Sequence, residues 1–105
     1  MPTYQVDGWT ALGDPTRRAI FESLVERPRA VGELAREFPV SRPAVSQHLK
    51  VLKDARLVVG RPAGNRRIYE VDTAGLGALR ADLERFWGQA LANYKRVVEQ
   101  RPEED

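Results

Sequence analysis

The side chains best suited to chemistry are gathered in the middle of this 105-residue chain. Between Ser41 and Arg67 stand Arg42, Lys50, Lys53, Arg56, Arg61, Arg66 and Arg67, with Asp54 as the only acid. Residues 1–40 carry five bases and six acids, and residues 68–105 carry five bases and eight acids, so a formal net charge of +2 hides one strongly basic segment. A solvated charged face mixes both signs, whereas bases collected without carboxylates are the electrostatic footprint of a polyanion binder. Hydrogen-bonding groups are interleaved with the bases. In SRPAVSQHLKVLKDARLV, which begins at Ser41, the Gln47 amide can bond adenine through both of its polar atoms, Arg42 can reach guanine or a phosphate, and Ser46 can donate or accept. In GRPAGNRRIYEV (Gly60–Val71), Arg61, Asn65, Arg66 and Arg67 flank a turn and suit phosphate or minor-groove contact.

Other chemistry has little to work with. There is no cysteine, which removes disulfides, thiolate metal sites and cysteine nucleophiles. His48 is the only histidine, and one imidazole does not make a metal site of three or four ligands. Its alternatives are a hydrogen bond to backbone, to a neighbouring helix or to a phosphate, or a proton-sensing role. No Ser-His-Asp order and no phosphate-cradling glycine loop is present, so an enzyme is not expected, nor is any cofactor or metal.

The elements that must position these groups follow from Pro and Gly punctuation and from apolar spacing. Val6–Gly13 reads as a short helix showing Trp9 and Leu12. Asp14-Pro15 begins another, with Asp capping and Pro at the first helical position; Ile20, Phe21, Leu24 and Val25 form its apolar face, and it ends near Pro28. Ala30–Glu37 places Val31, Leu34, Ala35 and Phe38 together as a short amphipathic helix. Phe38-Pro39-Val40 breaks it, and Ser41 caps the next helix, which tolerates Pro43 in its first turn. Two short helices joined by a tight turn make a helix-turn-helix. On the second, Val45, Leu49 and Leu52 fall on the core side, Pro43, Gln47, Lys50 and Asp54 lie opposite, and Ala44 and Ser46 flank them. The small residues at its start permit close approach to a major groove, and Ser41, Arg42, Pro43, Ala44, Ser46, Gln47, His48 and Lys50 are the residues of this helix expected to contact DNA. Val58-Val59 and Ile68–Val71 then read as strands around Pro62-Ala63-Gly64-Asn65, where Gly and Asn suit positive φ.

Asp72 or Thr73 can cap a last long helix whose apolar positions, including Leu76, Leu79, Leu83, Phe86, Trp87, Leu91, Tyr94, Val97 and Val98, recur at steps of three and four. That stripe is more than one small domain can easily cover. Trp9, Leu12, Leu83, Phe86, Trp87, Leu91 and Tyr94 are therefore expected to meet a second copy across a twofold axis, aromatic residues being enriched at such interfaces. The whole chain, 1–105, is expected to be one mainly α domain, with a β-hairpin wing over about 57–71, a dimerisation helix over about 73–99 and a frayed acidic tail over 100–105. No run approaches the roughly 20 apolar residues of a membrane span, and MPTYQVDGWT has no signal-peptide pattern, so a cytoplasmic, nucleoid-associated prokaryotic location is expected.

The stretches ALGDPTRRAIFESL, VGELAREFPVSRPAVSQHLKVLKDARLV and GRPAGNRRIYEV, taken in order, resemble the ArsR/SmtB-type winged-helix repressors over about residues 9–98. The resemblance implies a dimeric transcription factor, usually a repressor, with the Ser41–Ala55 helix in the major groove and the first and last helices forming the dimer interface. Metal-sensing members carry cysteines where this chain has GELAREF (Gly32–Phe38), or acidic and His ligands on the last helix. Here that segment has no Cys and the last helix no His; Asp82 and Glu84 sit among Arg80 and Arg85, as in solvated ion pairs. The chain is thus similar to the cysteine-free subgroup. The expected reading is a dimeric, sequence-specific regulator of double-stranded DNA acting at an inverted repeat, with an unidentified effector ligand or protein. The alternatives are a metal-responsive repressor with a non-cysteine site and a winged helix that binds protein.

Overall fold

A computed structural model describes residues 7–100; the expected helix start at Val6 and the acidic stretch 101–105 lie outside them. The elements run α1 (Gly8–Ala11), α2 (Pro15–Glu26), β1 (Arg29–Ala30), α3 (Val31–Glu37), α4 (Arg42–Asp54), β2 (Val58–Ala63), β3 (Arg66–Val71) and α5 (Thr73–Gln100). The architecture is mainly helical with a small antiparallel sheet ordered β1-β3-β2.

Caps explain most boundaries. Asp7 Oδ1 accepts from Thr10 N at 2.7 Å, Asp14 Oδ2 from Arg17 N at 2.8 Å and Ser41 Oγ from Ala44 N at 3.2 Å. Asp72, not Thr73, caps α5, its Oδ1 accepting from Ala74 N at 3.1 Å and Gly75 N at 3.3 Å. Each satisfies N–H groups that a helix start leaves open. Ala30 has no side-chain acceptor to offer α3, so Glu33 alone reaches back, accepting from Ala30 N at 3.2 Å.

One core joins these elements. Ile20, Leu24, Leu34, Val45, Leu49, Leu52, Leu57 and Val58 are at its centre, with Phe21, Ala11 and Leu79 beside them. Val25 is a correction: it stands 58% exposed, about 140° around α2 from Ile20 and past the edge of the buried face. The helix expected from Ala30 is also preceded by a strand, because Arg29 and Ala30 pair with Tyr69 and Ile68 and turn the hairpin into a three-stranded sheet. Arg29 is buried, bridging Glu26 and Glu37 and donating to Ser23 O, so its charge is compensated as burial demands.

The hairpin is longer and its turn tighter than expected. β2 runs through Pro62 and Ala63, which pair with Arg67 and Arg66, leaving a two-residue turn of Gly64-Asn65. Only Gly64 has positive φ (66°), the pattern of a type II′ turn; Asn65 does not share it. Pro62 fits because β2 is an edge strand.

At the end of α4, Leu57 N donates to Leu52 O and Arg56 N to Lys53 O, both at 2.9 Å. This is a Schellman cap with the buried pair Leu52–Leu57 as its apolar contact. Its left-handed residue is Arg56 (φ 63°), where glycine is usual. The first turn of α5 presses on this corner. A Cβ built on Gly75 would lie 1.5 Å from Arg56 O, so only glycine permits the approach.

Candidate nucleic-acid interface

α4 presents two different faces. Val45, Leu49 and Leu52 are fully buried, while Ser41, Arg42, Pro43, Ser46, Gln47 and Lys50 are exposed and Ala44 is half-buried, as the spacing predicts. Lys50 Nζ pairs with Asp54 Oδ2 at 2.9 Å, one turn on, which tempers its charge. His48 is drawn inward. It is half-buried, and its Nδ1 accepts from Arg17 Nε of α2 at 3.5 Å, the neighbouring-helix partner among its alternatives. Arg17 also donates to Ala11 O at 3.4 Å, so one guanidinium ties α4 to both α1 and α2. The Arg17 backbone N–H donating to Asp14 holds that carboxyl below its ordinary range.

The wing stands beside α4. Arg61, Asn65, Arg66 and Arg67 are all exposed. Arg61 Nε lies 3.5 Å from Glu70 Oε1 across the hairpin and is partly neutralised. Gly60 leaves space for its cross-strand neighbour Tyr69 and for Arg67, whose ring and Nε would sit 2.9 and 3.0 Å from a Cβ there. Although Arg66 and Arg67 alternate along β3, neither is buried.

Between α3, α4 and the wing lies a cleft of about 360 Å³, and Arg42, Ser46, Asn65, Arg66 and Arg67 line it together. The structure thus brings both expected groups of contact residues onto one surface. It adds Arg36 of α3, which the sequence reading passed over because it sits in the mixed-sign first 40 residues. The signal was its place one turn before the break into α4, in a helix-turn-helix whose next base is Arg42.

The other expected surface is on α1 and α5. Leu83, Phe86, Trp87, Leu91, Tyr94, Val97 and Val98 are each about half exposed or more, and of the α5 stripe only Leu79 is buried. Trp9 reaches this surface, its ring 6.5 Å from Phe86 and its Nε1 donating to Asp82 Oδ2 at 3.4 Å. Leu12 instead packs on the chain's own core, because α1 turns it inward beside Ala11. Asp82 pairs with Arg85 at 3.1 Å and Glu84 with Arg80 at 3.0 Å, the ion pairs anticipated for them. A cleft of about 590 Å³ opens between α1 and the start of α5, with Trp9, Arg56 and Gly75 on its wall; Phe86, Trp87 and Tyr94 do not line it. Among the described residues no group of three or more His, Cys, Asp or Glu side chains could hold a metal ion, and no helix is long and apolar enough to cross a membrane.

This geometry has close relatives. Residues 14–59, from the Asp14 cap through α4 to the start of the wing, match the family model described as bacterial regulatory protein, arsR family. The chain is 61% identical over 101 residues to the HTH-type transcriptional regulator Rv2034 of Mycobacterium tuberculosis, covering 94% of each. The chain belongs to the ArsR family. As a member it is a DNA-binding transcriptional regulator and not an enzyme. The transcriptional repressor SdpR of Bacillus subtilis is 35% identical to this ArsR-family chain over 66 residues, 63% of this chain and 73% of SdpR. In three dimensions it is similar to a crystal structure described as a possible transcriptional regulator for arsenical resistance, with a TM-score of 0.73 and 39% identity over 93% of this chain and 99% of that one.

Proposed function

We propose that this ArsR-family chain acts as a homodimeric repressor that occupies an inverted-repeat operator. The observation that carries the reading is the polar outward face of α4 standing beside an arginine-bearing wing on one surface. Ser41, Arg42, Pro43, Ala44, Ser46, Gln47 and Lys50 meet the major groove and its rim, with base edges read chiefly by Gln47, and with Arg42 turned to the backbone. Arg61, Asn65, Arg66 and Arg67 hold backbone or minor groove. His48, at the edge of that face, fixes the angle of α4 through Arg17.

The half-exposed apolar stripe of α5, extended by Trp9, supports a twofold dimer, which sets the two α4 helices about 34 Å apart and makes the operator palindromic. Repression is then steric occupation of promoter DNA. Release belongs to a ligand or protein that favours a dimer with mis-spaced α4 helices. The repressor named among the relatives supports the sign of regulation, and a cytoplasmic site of action follows from the DNA target.

Footprinting on the DNA upstream of its own gene tests the proposal, followed by titration with the protected duplex at several salt concentrations. A protected palindrome, bound despite competitor DNA and weakening steeply with salt, is the expected result. No sequence-preferring complex on any duplex overturns it and leaves the wing to a protein partner.

A further inference from the structure

The cleft between α3, α4 and the wing holds more positive charge than a folded surface needs. Arg36, Arg42, Arg66 and Arg67 converge on about 360 Å³, and among the described residues none of the four makes an ion pair within 4.0 Å. Outside the cleft Arg27, Arg29, Arg61, Arg80 and Arg85 each have a carboxylate, whereas Arg17, Arg18, Arg56 and Arg96 have none among the described residues. What sets the cleft apart is that four arginines without an ion pair line one space. The one acid of the cleft, Glu33, is occupied, accepting from Ala30 N at 3.2 Å and pairing with Arg27 at 3.1 Å. The Ala30 backbone N–H, then Arg27 and last Arg66, hold its carboxyl below the usual range, so this single carboxylate offsets part of the Arg66 charge and leaves the cleft with an excess of positive charge. The Arg36 and Arg42 guanidiniums each lie 3.8 Å from where a Cβ on Gly32 would stand, so they flank the same point of α3. Ser46 and Asn65 add neutral donors.

Donors of this kind, four guanidiniums with a hydroxyl and an amide, fit a group that is anionic and accepts only, as a phosphodiester does. The topology says which one. If α4 lies in a major groove and the wing in the adjacent minor groove, the sugar-phosphate strand dividing those grooves must pass between α4 and the hairpin, and that passage is this cleft. We propose that the cleft seats a backbone phosphodiester of the dividing strand, and that Arg36 is a phosphate ligand supplied by α3. The inference rests on the DNA-binding reading above and adds to it a contact from α3, outside α4 and the wing. It makes the seat a clasp. One phosphodiester strand, gripped from α3 and α4 on one side and β3 on the other, fixes the wing against the reading helix.

The test is duplex binding as a function of salt for the full chain, its Arg36→Gln variant and an Arg80→Gln control on α5. Loss of one phosphate contact should flatten the slope of log K against log salt by about 0.9, so that a fourfold rise in salt weakens the variant about threefold less than the parent. Arg36→Gln should weaken all duplexes alike, while Arg80→Gln keeps the parental slope. Gly32→Glu, which places a carboxylate between Arg36 and Arg42, should weaken binding further with the thermal transition retained. If that variant fails to fold, Arg36→Gln on the exposed face of α3 still decides. An Arg36→Gln protein with parental affinity and slope overturns the proposal. Inorganic phosphate at matched ionic strength, read on the arginine Nε–H resonances without DNA, identifies the other source. A shift there combined with an unchanged DNA slope in Arg36→Gln would assign the cleft to free phosphate and sink the backbone seat. If the parent protein binds no duplex at all, it is the DNA-binding reading that fails.

Discussion

Gly75 and Gly77 lie two residues apart on α5 and have opposite mutational signs. Gly75 is in contact with Arg56 O, whereas nothing stands within 4 Å of a Cβ on Gly77. Gly77→Ala should therefore raise stability by up to ~1 kcal/mol through helix propensity alone, and Gly75→Ala should lower it by forcing α5 off the α4 corner; paired thermal melts at equal protein concentration check both. Arg56 is the complementary case. Its left-handed backbone costs an L-residue energy that glycine avoids, so Arg56→Gly should raise the melting temperature, with a gain of about 1 kcal/mol. For DNA, Gln47→Ala should relax preference at one base pair by about 1–3 kcal/mol, while Arg67→Ala should weaken all sequences and flatten the salt dependence; equal behaviour of the two in competition assays would contradict the division between base and backbone contacts. Asp7, Asp14 and Glu33 respond to acid. Their carboxyls titrate below their ordinary values because backbone N–H groups bond the charged form. Their contribution is full above the unfolded values, near pH 4, and is lost as pH falls through the lower folded values. Melts from pH 6 down to about pH 3 should show the loss, and Asp14→Asn should reduce its steepness.

Among elements, those that repeat a period or carry a cap could be read before folding. The steps of three and four in α2, α4 and α5, Asp14-Pro15 and Ser41 all specify local structure through contacts within a few residues. Three features escaped that logic. β1 is two residues long and exists only because β3 offers it partners some 40 residues away. The hairpin outran its apolar pattern, since Pro62 pairs with Arg67 and Ala63 with Arg66 although none of these is a strand-forming type. Arg17 and Arg36 join the interface only through tertiary proximity, Arg17 by meeting His48 and Arg36 by facing the wing. The stiff seating of α4 has its own consequence. Leu49 is fully buried in the core, so Leu49→Ala should cost about 2–5 kcal/mol in chemical denaturation and should weaken DNA binding only in proportion to the unfolded fraction.

At the scale of the whole molecule, an apolar stripe runs along a helix that extends well beyond the core, giving the chain a long dimension of 70 Å against 35 and 24 Å. The proposed dimer predicts that Trp87→Glu or Leu91→Glu yields monomers by sedimentation that bind a half-site nearly normally and a full palindrome poorly; a dimer of unchanged operator affinity would refute the interface. The contact of Gly75 with Arg56 then acquires a mechanical meaning. α5 has 28 residues, making it a rod about 42 Å long hinged where it meets the end of α4. A rotation of about 5° at that joint sweeps its far end through about 4 Å, and a push of that size at the far end turns the joint by the same angle. In the proposed dimer the helix would work as a lever whose short arm is the reading helix. Whatever seats or unseats Tyr94 and Val98 against the second copy of that dimer would also adjust the separation of the two reading helices, at a distance and without touching DNA.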